Sequence, residues 1–172
     1  MNILDKRTRT EFDILCSARL YKMQSTIAER LNKIINTILL LAGASIFGGV
    51  SGVIAVIMGF CIALLTTIQT NYNFSIVAEK SKMQYNAYYR LYKENYYYSD
   101  DALVQKLHEI EREDTGVWTV LHYPAILRCR IIRRLPGGNL DPKLTVLEKV
   151  VSWLAGDMPK RRLNLQQNED NN

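Results

Sequence analysis

The side chains that could do chemistry in this chain are few and stand apart from one another. Residues 43–49 superficially resemble a phosphate-binding loop, but Gly49 stands where that chemistry requires a lysine. His108 is followed by Glu109 without the second histidine, four residues on, that a zinc-binding helix needs. His122 stands alone, and Glu111 belongs to an alternating acidic run typical of a solvent-exposed helix face. The sequence therefore predicts no enzyme, no cofactor and no metal site.

The cysteines and the overall charge carry equally little chemistry. Cys16, Cys61 and Cys129 are scattered, with no pairing or metal-type spacing, which fits a reducing compartment. The formal net charge of +5 is modest. It is better explained by the orientation of a membrane protein than by a surface for nucleic acid.

The most informative element is an uncharged run over residues 34–78, between Lys33 and Glu79. At about 45 residues it is roughly twice as long as the 20 apolar residues that one bilayer crossing needs. A glycine-rich turn signal at residues 48–52 lies near its middle. The sequence thus predicts a two-helix transmembrane hairpin, with spans near residues 33–47 and 50–71. A signal peptide is disfavoured because the run begins so late, and a buried hairpin of a soluble domain because the run has no charged stripe.

Orientation follows from the charges beside this run. Arg30 and Lys33 precede the first span, Lys80 and Lys82 follow the second, and the turn carries no charge. Because lysine and arginine concentrate on the cytoplasmic side, both termini are predicted to be cytoplasmic.

The fold class predicted is an all-α membrane protein with four regions. An amphipathic N-terminal helix over residues 1–33 leads into the hairpin at 34–78. It either lies on the bilayer or, as we favour, packs against the helix that leaves the second span. That helix continues without a stop from 50 to 95. Short helices over 102–114, 124–135 and 142–154 complete a cytoplasmic region at 79–159, and a polar tail at 160–172 is predicted to be disordered.

Small residues recur every four positions along both spans. The predicted interface of the transmembrane helices consists of Ala44, Gly48, Gly52, Ala55, Gly59 and Ala63. Small side chains let membrane helices approach closely. This face either packs the two spans of one protomer together or associates protomers. Two spans cannot enclose a water path, so any conduction requires a homo-oligomer.

Tyrosines cluster just after the second span. The predicted cytoplasmic packing face consists of Tyr85, Tyr88, Tyr89, Tyr92 and Tyr96. Packing or oligomer contacts are the favoured role, because large amphipathic rings fill space between helices. Stacking on a ligand or on nucleic acid is the alternative.

Basic residues gather at Arg128, Arg130, Arg133 and Arg134. They could contact anionic lipid head groups or the phosphates of a nucleic acid. A solvated helix side is the commoner reason for such a pattern.

Three short segments resemble the SLATT family of small prokaryotic two-transmembrane effectors. These are residues 28–33 entering the first span, the Gly48-Gly49 turn, and residues 77–80 leaving the second span. The resemblance extends over about residues 19–135. It implies an effector of the bacterial inner membrane that forms a pore, or disrupts the membrane, and causes death or arrest of the infected cell in anti-phage defence.

The resemblance also implies partners besides the lipid bilayer. Members of the family are associated with nucleotide-sensing or retron-like systems, so a separate sensor is expected. That sensor would respond to a nucleotidyltransferase product or consist of a reverse transcriptase with its nucleic acid. The alternative function is a passive membrane anchor or scaffold for a cytoplasmic partner.

Overall fold

The computed structural model describes residues 6–47, 52–133 and 144–158, and the side chains of all of these except 45–47. The described residues form helices and connecting turns, with no strand among them. In chain order the helices are α1 (Lys6–Phe47), α2 (Val53–Tyr72), α3 (Phe74–Glu94), α4 (Asp100–Glu111), α5 (His122–Ile132) and α6 (Val146–Leu154). Short 3-10 turns occupy Asn95–Tyr97 and Thr119–Leu121. The prediction of helical architecture is confirmed for this part of the chain, and the predicted tail at 160–172 lies outside it.

Helix α1 is one unbroken helix of 42 residues that joins the amphipathic and apolar segments. Its N-terminal half packs along α3, where Ile14, Ala18 and Tyr21 share a buried cluster with Tyr88 and Leu103. Packing against the helix that follows the second apolar segment, favoured from the sequence, is therefore what the structure has.

The helix predicted over residues 50–95 is present as one helical run, Val53–Tyr97, that a single residue interrupts. Asn73 adopts the left-handed conformation, with φ 44° and ψ 51°, and separates α2 from α3. Its N–H donates to the Gln69 carbonyl at 3.0 Å, and its own carbonyl accepts from the Val77 N–H at 3.1 Å. Asparagine is one of the few residues other than glycine that visits this region readily. The ring of buried Phe74 then stacks on Tyr72, with centroids 5.6 Å apart.

The remaining helices complete a cluster around the N-terminal half of α1. Ser99 caps α4, its hydroxyl accepting from the Ala102 N–H at 3.4 Å. A second buried group, containing Met23, Ile27 and Ala155, joins α1 to the Thr119–Leu121 turn, α5 and α6. The last two helices begin at His122 and Val146, close to their predicted starts at 124 and 142.

The basic residues of α5 make ion pairs within the protein. Arg128 pairs with Asp157 at 2.7 Å, and Arg133 pairs with Glu11 at 3.0 Å. Arg130 also has an interaction partner, whereas Arg134 lies outside the described residues. These pairs fasten α5 to α1 and to the segment after α6. The predicted role in binding lipid or phosphate is thus not needed to explain Arg128 and Arg133.

Candidate functional site

Helix α2 presents an apolar surface that the rest of the described chain does not cover. None of its residues is buried, and Val53 and Phe60 are 75% and 70% exposed. Among the described residues, one helical run, Val53–Tyr97, has the length and apolar composition that a membrane crossing requires. A core helix of a soluble protein would bury side chains of this kind.

The apolar half of α1 is similarly uncovered. Ile34, Ile38 and Leu40 are exposed large hydrophobic side chains. Together with α2 they form an exposed apolar surface of the kind that marks a membrane-contacting or protein-contacting region. This surface is the candidate functional site of the protein.

One side of α2 faces α1, as the pattern of exposure shows. Its half-buried residues follow one another at three- or four-residue spacings: Ala55, Met58, Ile62 and Leu65, then Ile68 and Gln69, which lie three and four positions after Leu65. At the end of this stripe, the Gln69 amide donates to the side-chain oxygens of Asn36 at 2.7 Å and Asn32 at 3.4 Å. These two hydrogen bonds hold the C-terminal end of α2 against α1.

The predicted small-residue interface divides between two sides of α2. Ala55 lies on the stripe that faces α1, whereas Gly59 and Ala63 are exposed. A Cβ added at Gly59 would meet no atom within 4 Å. In the described residues, therefore, Gly59 does not pack one apolar helix against the other.

The other members of the predicted interface lie near the ends of the apolar helices. Ala44 is exposed on α1. Gly52 directly precedes α2, with φ 75°, a conformation that glycine adopts without strain. Gly48 lies outside the described residues.

A shallow groove with a volume of about 560 Å³ follows the open side of α2 toward its C-terminal end. It is lined by Ala63, Thr66, Thr67, Thr70 and Asn71. The three threonine hydroxyls donate to carbonyls of their own helix at 2.8 to 2.9 Å. Their protons are thus satisfied inside the helix, while the hydroxyl oxygens remain acceptors.

Four of the five tyrosines of the predicted packing face contribute to the core. Tyr88 is fully buried and stacks on Tyr21, with ring centroids 5.7 Å apart. Around this pair are packed the half-buried rings of Tyr85, Tyr89 and Tyr92. Tyr96 differs from the prediction, being 65% exposed. The reason is that α3 ends at Glu94 and the 3-10 turn changes the helical register.

Polar side chains from α1 and α3 hold the loop between α4 and α5. The Tyr88 hydroxyl donates to the Asp114 carboxylate at 2.8 Å, and the Tyr21 hydroxyl donates to the Thr115 carbonyl at 3.0 Å. Partial burial raises the pKa of Asp114, an effect that the hydrogen bond from Tyr88 opposes. Burial likewise raises the pKa of both tyrosines, so these hydroxyls are hydrogen-bond donors at neutral pH.

Two buried glutamines complete the attachment of this loop. The Gln24 amide donates to the Gly116 carbonyl at 3.1 Å, and its oxygen accepts from the Trp118 N–H at 3.2 Å. Gln84 donates to the Glu113 carbonyl. Sequence reasoning missed this network. The available signal was a glutamine standing among the apolar positions of each amphipathic helix.

Cys16 and Cys129, scattered in the sequence, contact each other where α1 packs against α5. Cys129 is buried and Cys16 is half-buried. The hydrogen bond to Cys129, together with burial, raises the pKa of the Cys16 thiol, so it is a poor nucleophile. Cys16 also lines a cleft with Asp13 and His122. Within the described ranges no cluster of histidine, cysteine or acidic residues could hold a metal ion.

Compared with protein-family models, curated proteins and solved structures, the chain matches none of them. Membership of the SLATT family thus stays a prediction from the sequence.

Proposed function

We propose that this protein is a two-span effector of the bacterial inner membrane that self-associates through the open face of α2 and makes the bilayer permeable. The observation that carries the proposal is the exposure of Gly59. Gly59 carries no side chain on an apolar helix, and apart from its chain neighbours and the backbone of its own helix no atom of the protomer lies within 4 Å of its Cβ position. Since small residues let membrane helices approach closely, this face suits a second protomer.

The topology in this proposal has α2 as one span and the apolar half of α1 as the other. The N-terminal half of α1 packs with α3, α4, α5 and α6, which favours placing both termini on the same side. Arg30, Lys33, Lys80 and Lys82 flank the apolar segments, so this side is assigned to the cytoplasm.

The proposed output is loss of the permeability barrier. Residues 34–78 include no ionisable acid or base other than Cys61 and Tyr72, which disfavours ion-coupled pumping and suits a weakly selective pore. In an oligomer the threonine groove would face the water path, where the hydroxyl oxygens accept hydrogen bonds from water. Death or arrest of an infected cell, and a trigger from a separate sensor acting on the cytoplasmic helices, are implied by the SLATT resemblance.

A passive membrane anchor is the second candidate. The observation in its favour is that Thr66, Thr67 and Thr70 already donate their hydroxyl protons to their own helix. Because these hydroxyl protons already have acceptors in the helix, the groove does not require water and is compatible with contact to lipid.

The substitution Gly59→Leu tests the proposed interface. It fills the open face without adding charge, so the protein should still insert while protomers are held apart. Gly43→Leu is the matched control, because a Cβ at Gly43 also meets no atom within 4 Å but lies on α1. We expect Gly59→Leu to reduce self-association about tenfold or more, the effect of losing about 1.4 kcal/mol of contact energy.

The measurement is sedimentation of the full-length protein in detergent, together with potassium release from bacteria after induced expression. The native chain and Gly43→Leu should form oligomers and release potassium, and Gly59→Leu should do neither while remaining in the membrane fraction. Full activity of Gly59→Leu would remove the interface assignment. A native chain that is monomeric and causes no release would favour the anchor.

A further inference from the structure

Helix α6 has apolar residues on two sides: Val151 and Leu154 pack against the protein, and its most exposed apolar residues face outward. Ser152 and Ala155 are buried, whereas Val146 and Val150 are exposed and Trp153 is 68% exposed. Positions 146, 150 and 153 follow the i, i+4, i+7 spacing that places side chains on one side of a helix. An amphipathic surface helix of a soluble protein usually has a polar outer side, whereas the outer side of α6 is apolar as well.

The position of α6 is fixed by contacts in its C-terminal half. A complete capping box between Thr145 and Glu148 stabilises the start of the helix itself. At its C-terminus, the Arg30 guanidinium donates to the Leu154 carbonyl at 2.6 Å. The next residue, Ala155, is buried in the cluster that contains Met23. The outward face therefore belongs to a well-attached helix rather than to a loose end.

This attachment brings α6 to the boundary between the charged and apolar parts of α1. Arg30 lies only about 4.5 Å along the helix axis from Lys33, at a rise of about 1.5 Å per residue. Lys33 is the last charged residue before the uncharged run, and Ile34 is already exposed. The C-terminal end of α6 is thus held close to the point where the exposed apolar surface of α1 begins.

We propose that α6 is an in-plane lipid anchor, with its outer face in the boundary between head groups and acyl chains of the leaflet that α1 enters. The face consists of Val146, Leu147, Val150 and Trp153. The inference rests on the proposed membrane insertion of α1 and α2. Interfacial helices bury an apolar side to this shallow depth, and tryptophan is enriched there.

Charge beyond the helix supports lipid as the occupant of this face. The sequence after α6 continues with Lys160, Arg161 and Arg162. Basic residues beside an interfacial helix favour anionic head groups. A second copy of the chain or a cytoplasmic protein would be the other possible occupants, and the experiment separates them.

The experiment uses the full-length chain with Trp118→Phe, so that Trp153 is the only tryptophan. The protein is placed in vesicles of phosphatidylcholine and phosphatidylglycerol whose acyl chains carry bromine at a known depth. We expect bromine near the head-group end to quench Trp153 emission by about half or more, and bromine near the chain end to quench it less. The converse variant, Trp153→Phe, keeps the partly buried Trp118, whose emission should change little.

A pair of substitutions tests the face itself. Val150→Gln places an amide in the outer face and should reduce quenching of Trp153. Ile126→Gln makes a comparable apolar-to-amide change at an exposed position on α5 and should leave quenching unchanged. Equal quenching in both variants would overturn the assignment of the face.

Cys61 reports on membrane insertion in the same vesicles, because it is exposed on α2. Protection of Cys61 from a membrane-impermeant maleimide, with Trp153 unquenched by bromine, would overturn the anchor and leave insertion intact. If Trp153 were instead shielded from aqueous iodide but not quenched by bromolipid, the occupant would be protein, which also overturns the proposal. Labelling of Cys61 would contradict insertion itself.

Discussion

Replacing Tyr88 by phenylalanine removes one hydroxyl from the centre of the helical cluster and leaves the ring in place. That hydroxyl donates to the Asp114 carboxylate at 2.8 Å, while the ring stacks on Tyr21. A hydrogen bond to a charged group contributes about 1.5–3 kcal/mol to stability. Because Asp114 is only partly buried and water can reach it after the substitution, we expect the low end, about 1.5 kcal/mol.

The assay is urea unfolding of the full-length protein in detergent, followed by the fluorescence of Trp118 in a Trp153→Phe background. Trp118 is a suitable reporter, since its backbone N–H is bonded to Gln24 within the same loop attachment. Tyr85→Phe is the matched control, being a half-buried tyrosine of the same face, and should change stability by less than about 0.5 kcal/mol.

A double-mutant cycle with Asp114→Asn isolates the contact itself. We expect a coupling free energy of about 1 kcal/mol between Tyr88→Phe and Asp114→Asn. Strictly additive effects would refute the reasoning, because the hydroxyl would then stabilise the fold through something other than this carboxylate. A loss above about 3 kcal/mol for Tyr88→Phe would instead indicate that the ring packing had changed.

Three further outcomes follow from particular residues. Burial raises the pKa of Asp114, so this carboxyl binds its proton more tightly in the folded protein than in the unfolded chain. The contribution of Asp114 to the free energy of unfolding should therefore fall as pH rises from about 4 through the folded-state pKa. The variant Asp114→Asn should flatten that part of the pH dependence. Gly156 has φ 69°, so Gly156→Ala should cost more than about 1 kcal/mol and lower the thermal midpoint in a melting experiment. In detergent, maleimide should label exposed Cys61 in the folded protein, and should label Cys16 and Cys129 only as the protein unfolds. Peptide mass mapping identifies the labelled cysteine. Early labelling of Cys129 would contradict the contact between α1 and α5.

The helices of this protein could be predicted because their signals are local. Ser99 precedes two acidic residues and marks the start of α4, where the structure has a cap. Uninterrupted apolar composition likewise marked α2. The break at Asn73 could not be predicted, because asparagine is compatible with both a helix interior and the left-handed conformation, and the difference between these amounts to only about 1 kcal/mol.

The contacts between distant segments were beyond a reading of local patterns. Gln24 and Gln84 donate hydrogen bonds to carbonyls of a loop far along the chain. Cys16 lies beside Cys129 only because α1 and α5 pack side by side. For α6 the sequence contains apolar residues on more than one side. Which side faces the protein depends on contacts with distant residues: Arg30 bonds to the Leu154 carbonyl, and Val151 and Leu154 pack against the cluster that contains Met23.

The unbroken α1 and the interrupted α2–α3 pair have different mechanical consequences. The 42-residue helix α1 is about 60 Å long and has no break along its length. Tilting it by about 5° around Lys33 displaces its apolar end at Phe47 by roughly 2 Å, so a rearrangement of the helical cluster around its N-terminal half would move this end as well. Asn73, by contrast, is a joint of one residue between α2 and α3. A rotation at Asn73 would reorient the Gly59 face while Tyr88 and its neighbours keep their packing. The apolar half of α1 would therefore move rigidly with the helical cluster, whereas α2 could change its angle to that cluster.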